Sequence, residues 1–176
     1  MQADVLIIGG GHAGIEAAWA AANLGCDVVL CSARDGRIGH MPCNPAVGGT
    51  AKGHLVREID ALGGLIGYLT DLSGIQFKVL NRSRGPAVWS PRAQVDKDRY
   101  EEHARRTLES HPGVRWLFER VERLDVQSGK IAGVSLEGGG YVRCRAVVVC
   151  TGTFLNGITH VGCEQRPAGR VGEAPS

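Results

Sequence analysis

The stretch DVLIIGGGHAG, residues 4–14, restricts this chain more than any other. Its apolar run, with β-branched residues, reads as a buried parallel strand. Gly9, Gly11 and Gly14 then stand in G-x-G-x-x-G spacing. Behind them Ile15, Ala18, Trp19 and Ala22 recur at helical intervals on one face, and Gly25 is placed to stop the helix. A second apolar run, DVVLC at 27–31, completes a βαβ unit. In that frame each glycine has its own task. Gly9 permits a tight turn, Gly11 lets the backbone approach a diphosphate, and Gly14 lets the helix pack close to the strand. The unpaired N–H groups opening the helix would then face the anion. Glycine spacing alone is weak evidence, but strand, turn, helix and strand in this order predict dinucleotide binding. One expected piece is missing. The second strand ends at Cys31 and Ser32, where a ribose-binding carboxylate would stand, and Asp35 lies in the loop beyond. Ser32 could donate to a ribose hydroxyl instead.

The chain has 176 residues, 43% of them apolar, which is enough for one domain with a core. Its net charge of +2 imposes no bulk field that demands a nucleic acid. No apolar run reaches the roughly 18 residues of a membrane-spanning helix, so no membrane association is expected. The first strand begins by Asp4, which would leave no room for a signal or transit peptide.

Beyond the βαβ unit, a loop from Ser32 to Gly49 is expected. A helix over 52–62 follows, with Leu55, Val56, Ile59 and Leu62 on one face. A strand is predicted over 74–80, and GPAVWSP reads as an extended or turn segment. The helix over 96–110 points Tyr100, Ala104 and Leu108 inward and has aspartates in its first turn. VRWLF reads as a strand. RVERLDVQ, IAGVSLE and YVRCR, separated by SGK and GGG turns, form a β-meander, and AVVVC at 146–150 is another buried strand. The tail from Gly157 to Ser176 shows no periodicity.

Six cysteines occur, at 26, 31, 43, 144, 150 and 163. None forms a C-x-x-C pair, so a zinc site lacks its spacing and the chain looks cytoplasmic. Four flank or end apolar runs and read as packing thiols. Cys43 and Cys163 lie in loops and are the reactive candidates. Cys43 stands in HMPCNPAVGG, whose prolines and paired glycines continue neither a helix nor a central strand. His40, Lys52 and His54 are close in sequence and could lower the pKa of its thiol. A basic cluster, Lys78, Arg82, Arg84 and Arg92, has no acidic residue from 78 through 94. It reads either as a solvated face or as contacts to RNA phosphates.

A first βαβ with the glycine motif, a later meander and a strand ending in Thr151-Gly152 resembles the FAD-binding domain of glutathione-reductase-type flavoproteins. The implied fold class is α/β, a Rossmann-like FAD-binding domain with a parallel sheet and an inserted β-meander, over residues 1–176. The resemblance narrows further. IIGGGHAGIEAA, CNPAVGG, KGHLVREIDALGG, GIQFKVLN, GPAV, RAQVD and GTFLNG occur in sequence, and together they resemble the N-terminal part of the GidA/MnmG family of tRNA uridine 5-carboxymethylaminomethyl modification enzymes.

The resemblance implies that Gly9, Gly10, Gly11, His12, Ala13, Gly14, Val121, Thr151, Gly152 and Ser176 meet FAD, with Val121 at the adenine. It gives Cys43 a catalytic or substrate-handling role. It further implies NADH as reductant, bound outside this chain, and a methylene-tetrahydrofolate carbon. The expected partners are tRNA, an MnmE-type GTPase and a second copy in a homodimer. Trp89 stands where the family pattern usually has an arginine. Two other readings of the chain are a small stand-alone FAD oxidoreductase and a non-catalytic FAD-binding fragment of a longer protein.

Overall fold

The computed structural model describes residues 1–32, 36–42, 44–169, 172 and 174–175. Asp35, Cys43 and Ser176 lie outside the described residues. In chain order the elements begin with β1 (Gln2–Ile8), α1 (His12–Asn23), β2 (Val28–Ser32) and β3 (Ala46–Gly48). Next come α2 (Lys52–Ala61), α3 (Leu65–Ser73), β4 (Gly74–Leu80), a 3-10 turn (Pro86–Val88), β5 (Ser90–Val95) and α4 (Lys97–Glu109). The rest is β6 (Val114–Phe118), β7 (Val121–Gln127), β8 (Lys130–Leu136), β9 (Tyr141–Val149), β10 (Ile158–Val161) and β11 (Glu164–Pro167).

The main sheet has the order β6-β2-β1-β9-β8-β7. Its β6, β2, β1 and β9 run parallel, and β8 and β7 continue antiparallel as the expected meander. Side chains alternate across the strands. Ile7, Val28 and Leu30 therefore enter one core with Ile15, Ala18 and Ala22 of α1 and Tyr100, Ala104 and Leu108 of α4. Ala3, Leu6, Val29 and Cys31 enter a second core on the opposite face, with Val134, Leu136, Val142 and Cys144. Burial on both faces is why β1 and β2 read as continuous apolar runs.

Three expectations need correction. Leu55 (58% exposed) and Leu62 (89% exposed) do not face inward. The buried face of α2 is centred on Gly53, where a Cβ would lie 2.5 Å from the Pro91 carbonyl oxygen, so backbone contact sets its rotation. YVRCR and AVVVC are one uninterrupted strand, and its end is not buried: Val148 and Val149 are exposed. β8 pairs with β9 only from Tyr141 to Arg143, so the far edge of β9 beyond that point has no neighbouring strand among the described residues. GPAVWSP is a turn and extended segment, as expected: it contains the 3-10 turn and the start of β5, which is the middle strand of a small antiparallel sheet β3-β5-β4. Pro91 is tolerated there because β3 pairs only with Arg92 to Gln94. Finally, the tail forms the hairpin β10-β11.

α3 was not anticipated. Its N-terminus is capped from another helix: the Glu16 carboxylate on α1 accepts from Leu65 N (2.9 Å) and Ile66 N (2.6 Å). Leu65 and Leu69 then bury against the first core.

Candidate functional site

The chain leaves β1 through α1 to β2 on one side and returns much later as β9 on the other. The C-terminal end of β1 is thus a topological switch point, where two neighbouring connections diverge and leave a crevice. Gly9 sits there. Its N–H donates to Cys31 O at 2.7 Å, and Cys150 N donates to Ile8 O at 2.7 Å, so β2 and β9 close on it from both sides. Its φ is +111°, and a Cβ would lie 2.2 Å from Cys150 O. Only glycine fits both constraints. At Gly14 a Cβ would lie 1.8 Å from Gly9 O, so α1 approaches the turn by backbone contact.

Gly11 differs. Among the described residues, no atom beyond its chain neighbours lies within 4 Å of where its Cβ would be, so packing against them does not demand glycine here. Gly11 is the N-cap of α1 and offers no capping side chain, and the first turn of the helix has no acidic residue. The open space therefore faces uncapped N–H groups and the positive end of a helix dipole, which suits an anion. This cradle fits the diphosphate of a dinucleotide.

The other candidates border the same place. A Cβ at Gly10 would meet Ser32 Oγ at 2.8 Å and Ile38 Cδ1 at 2.6 Å. Ser32 is 6% exposed, and its hydroxyl donates to Arg37 O only at 3.5 Å. Ser32 pairs with Phe118 across β2 and β6, and the Cys31 thiol donates to Glu119 O at 2.9 Å. Val121, at the start of β7, packs on the second core near Cys31. The 118–121 segment thus lies beside the end of β2. Thr151 N would be 3.4 Å from a Gly9 Cβ, and Gly152 follows with φ +66°. His12 and Ala13 open α1. Cys43 and Ser176 fall outside the described residues, although Pro175 O accepts from Arg120 at 3.1 Å.

The sequence reading missed the wall formed by residues 36–42. Gly39 N donates to Gly10 O at 2.8 Å and ties this segment to the glycine turn. His40 Nδ1 pairs with the Glu101 carboxylate on α4, and His12 lies against Tyr100 with ring centroids 5.5 Å apart. Burial lowers the His12 pKa below the ordinary histidine value; Glu101 opposes this and His40 adds to it. The helical spacing of Tyr100 and Glu101 was visible in the sequence, but nothing local links them to His40. His54, a candidate for activating Cys43, hydrogen-bonds Ala87 O at 3.1 Å.

Cys26, Cys31, Cys144 and Cys150 pack in or against the two cores. Burial pushes Cys31 up to about 11 and raises Cys144 and Cys150 as well. Cys163 is exposed. Among the described residues no cluster of His, Cys, Asp or Glu could hold a metal ion, and no helix is long and apolar enough to cross a membrane.

Residues 4–176 match the sequence profile of the family described as Glucose inhibited division protein A. The chain is 50% identical over 173 residues to the "tRNA uridine 5-carboxymethylaminomethyl modification enzyme MnmG" of Wolinella succinogenes, covering 98% of this chain and 28% of that protein. The enzyme of the same name from Thermodesulfovibrio yellowstonii is 48% identical, with the same coverage. Among solved structures, GidA of Aquifex aeolicus superposes with a TM-score of 0.93 at 48% identity, over 100% of this chain and 29% of that one. A GidA-related protein from Thermus thermophilus shares the fold, with a TM-score of 0.61 at 20% identity, over 98% of this chain and 63% of that one. The chain thus spans 28% of the length of the relatives it matches.

Proposed function

Because the chain belongs to the Glucose inhibited division protein A family, we propose that residues 1–176 form the FAD-binding unit of a tRNA-modifying flavoenzyme. The whole enzyme adds a carboxymethylaminomethyl or aminomethyl group to carbon 5 of the wobble uridine, using methylene-tetrahydrofolate and NADH. It works with an MnmE-type GTPase, as a homodimer, in the cytoplasm. When bound, the flavin supplies the redox chemistry.

This chain's own residues bind and orient. The amides of Gly11, His12 and Ala13 hold the diphosphate, with Gly9, Gly10 and Gly14 shaping the turn. Ser32 donates to the adenosine ribose, its hydroxyl having only a long bond to give up. Val121 lines the adenine, Thr151 and Gly152 border the flavin nucleotide, and Ser176 completes the rim. Cys43 takes a catalytic or substrate-handling role.

The observation that carries this reading is the open, uncapped helix start at Gly11, in a chain whose other motif glycines are fixed by backbone packing. Purified chain should be yellow or take up added FAD, read by flavin absorbance and fluorescence quenching. Gly11→Val should abolish uptake while leaving the far-UV circular dichroism and melting temperature unchanged. A folded wild-type chain that takes up no FAD refutes the reading.

A further inference from the structure

Away from the glycine turn, α2, α3 and the small sheet β3-β5-β4 line an open cavity of about 510 Å³. Its lining has two parts. Val47, Val56, Phe77, Val79 and Ala93 supply an apolar floor, and Arg57, Lys78, Arg82 and Arg92 supply cations. Among the described residues none of these four cations is in an ion pair. Asp60 and Asp71 also line the cavity, so cations outnumber carboxylates by four to two. The Phe77 ring is 60% exposed and lies over Gly74, where a Cβ would come 2.2 Å from it. A solvated basic face needs neither an apolar floor nor an exposed ring.

We propose that this cavity binds a nucleotide of single-stranded RNA, with the base against Phe77 and the apolar floor and the phosphates at Arg57, Lys78, Arg82 and Arg92. Charge complementarity selects the ligand. Unpaired cations around an apolar hollow suit an anion attached to a flat, weakly polar body, and a nucleotide is both. Bases stack on aromatic faces without regard to sequence, and Lys and Arg contacts to phosphate make binding salt-dependent. The cavity joins the candidate site through the chain itself, because β3, which lines it with Val47 and Gly48, starts three residues after Cys43. The inference rests on the tRNA-modifying reading for its RNA source; the same chemistry would also accept a free nucleotide.

The test is fluorescence anisotropy of a labelled anticodon stem-loop RNA on this chain, titrated at several salt concentrations, with UMP and inorganic phosphate as competitors. Wild type should bind, UMP should compete and phosphate should not. Phe77→Ala should weaken binding by about tenfold. Arg57→Gln, Lys78→Gln, Arg82→Gln and Arg92→Gln should each flatten the dependence of log K on log salt by roughly 0.7. Arg123→Gln and Lys130→Gln, on β7 and β8 outside the cavity, should change neither. FAD content and melting temperature control for folding, and Arg57, Lys78 and Arg82 are exposed, so their replacement leaves the core intact. If the RNA binds but the cavity variants match wild type, the inference is wrong and the tRNA reading stands. If UMP binds in a Phe77-dependent way and the RNA does not, the cavity is a nucleotide site and the tRNA reading fails. If neither binds, both fail.

Discussion

Gly11 and Gly14 carry the same side chain for opposite reasons. At Gly14 the neighbour is backbone: a Cβ would sit 1.8 Å from Gly9 O, and the strand end cannot withdraw without disturbing its pairing with β2 and β9. At Gly11 the neighbour is open space. Gly14→Ala should therefore cost about 1–3 kcal/mol of stability, the usual range for overpacking. Gly11→Ala should leave the denaturation midpoint of the FAD-free chain nearly unmoved. Urea unfolding of the two variants reads the contrast directly, and equal losses would mean that the α1 start is packed against protein. His12 gives a second prediction at this scale. Its pKa is lower in the folded chain than in the unfolded one, mainly through burial. The unfolded chain thus binds more protons, so stability is retained above the ordinary histidine pKa of about 6.5 and lost as pH falls through the lower folded value. The measurement is the loss of unfolding free energy between pH 7.5 and pH 5.5. It should be smaller in His12→Gln than in wild type, with Glu101, His40 and Tyr100 unchanged around it. An identical loss in both would show that His12 protonates freely in the fold.

Among the elements, α3 shows how a helix can start without a local signal. Glu16 lies on α1, 49 residues before Leu65, yet its carboxylate accepts the first N–H groups of α3. An acceptor at a helix N-cap is worth about 0.5–2 kcal/mol. Glu16→Ala should remove stability of that order, and amide exchange at residues 65–69 should speed up more than exchange in α4, which keeps its own Asp96 cap. Uniform loss of protection across α3 and α4 would argue against a local cap. The same contrast explains what the sequence could reveal. α4 was legible because both its cap and its buried face, Tyr100, Ala104 and Leu108, lie within one stretch of chain. The glycine turn was legible because its packing demands fall on residues spaced by the turn itself. α3, β3 and the 36–42 wall were not, since their partners come from distant segments: Glu16 for α3, Gln94 to Arg92 for β3, Gly10 and Glu101 for the wall. The face of α2 was misread because its closest contact is made by Gly53, which carries no hydrophobic signal at all.

For the whole molecule, the decisive asymmetry is between β1 and the end of β9. Both read as apolar runs. β1 lies between two parallel neighbours and between two cores, so its Leu6 and Ile7 are fully buried. β9 has β1 on one side from Arg143 to Val149, but β8 leaves its other side at Arg143. Val148 and Val149 are exposed, on a strand edge that has no neighbouring strand among the described residues. A pattern of valines reports that a strand could be buried on both faces; it does not report whether a neighbour is present. An apolar edge of this kind is a template for pairing with another chain. This chain should therefore self-associate as its concentration rises, with β9 in the contact. Val149→Lys replaces an exposed side chain, at little cost to folding, with the charge that natural edge strands use to prevent such pairing. Size-exclusion chromatography with light scattering should show wild-type mass rising with concentration. The Val149→Lys chain should keep monomer mass to higher concentration, with its melting temperature unchanged. If both behave alike, this edge is not where copies meet.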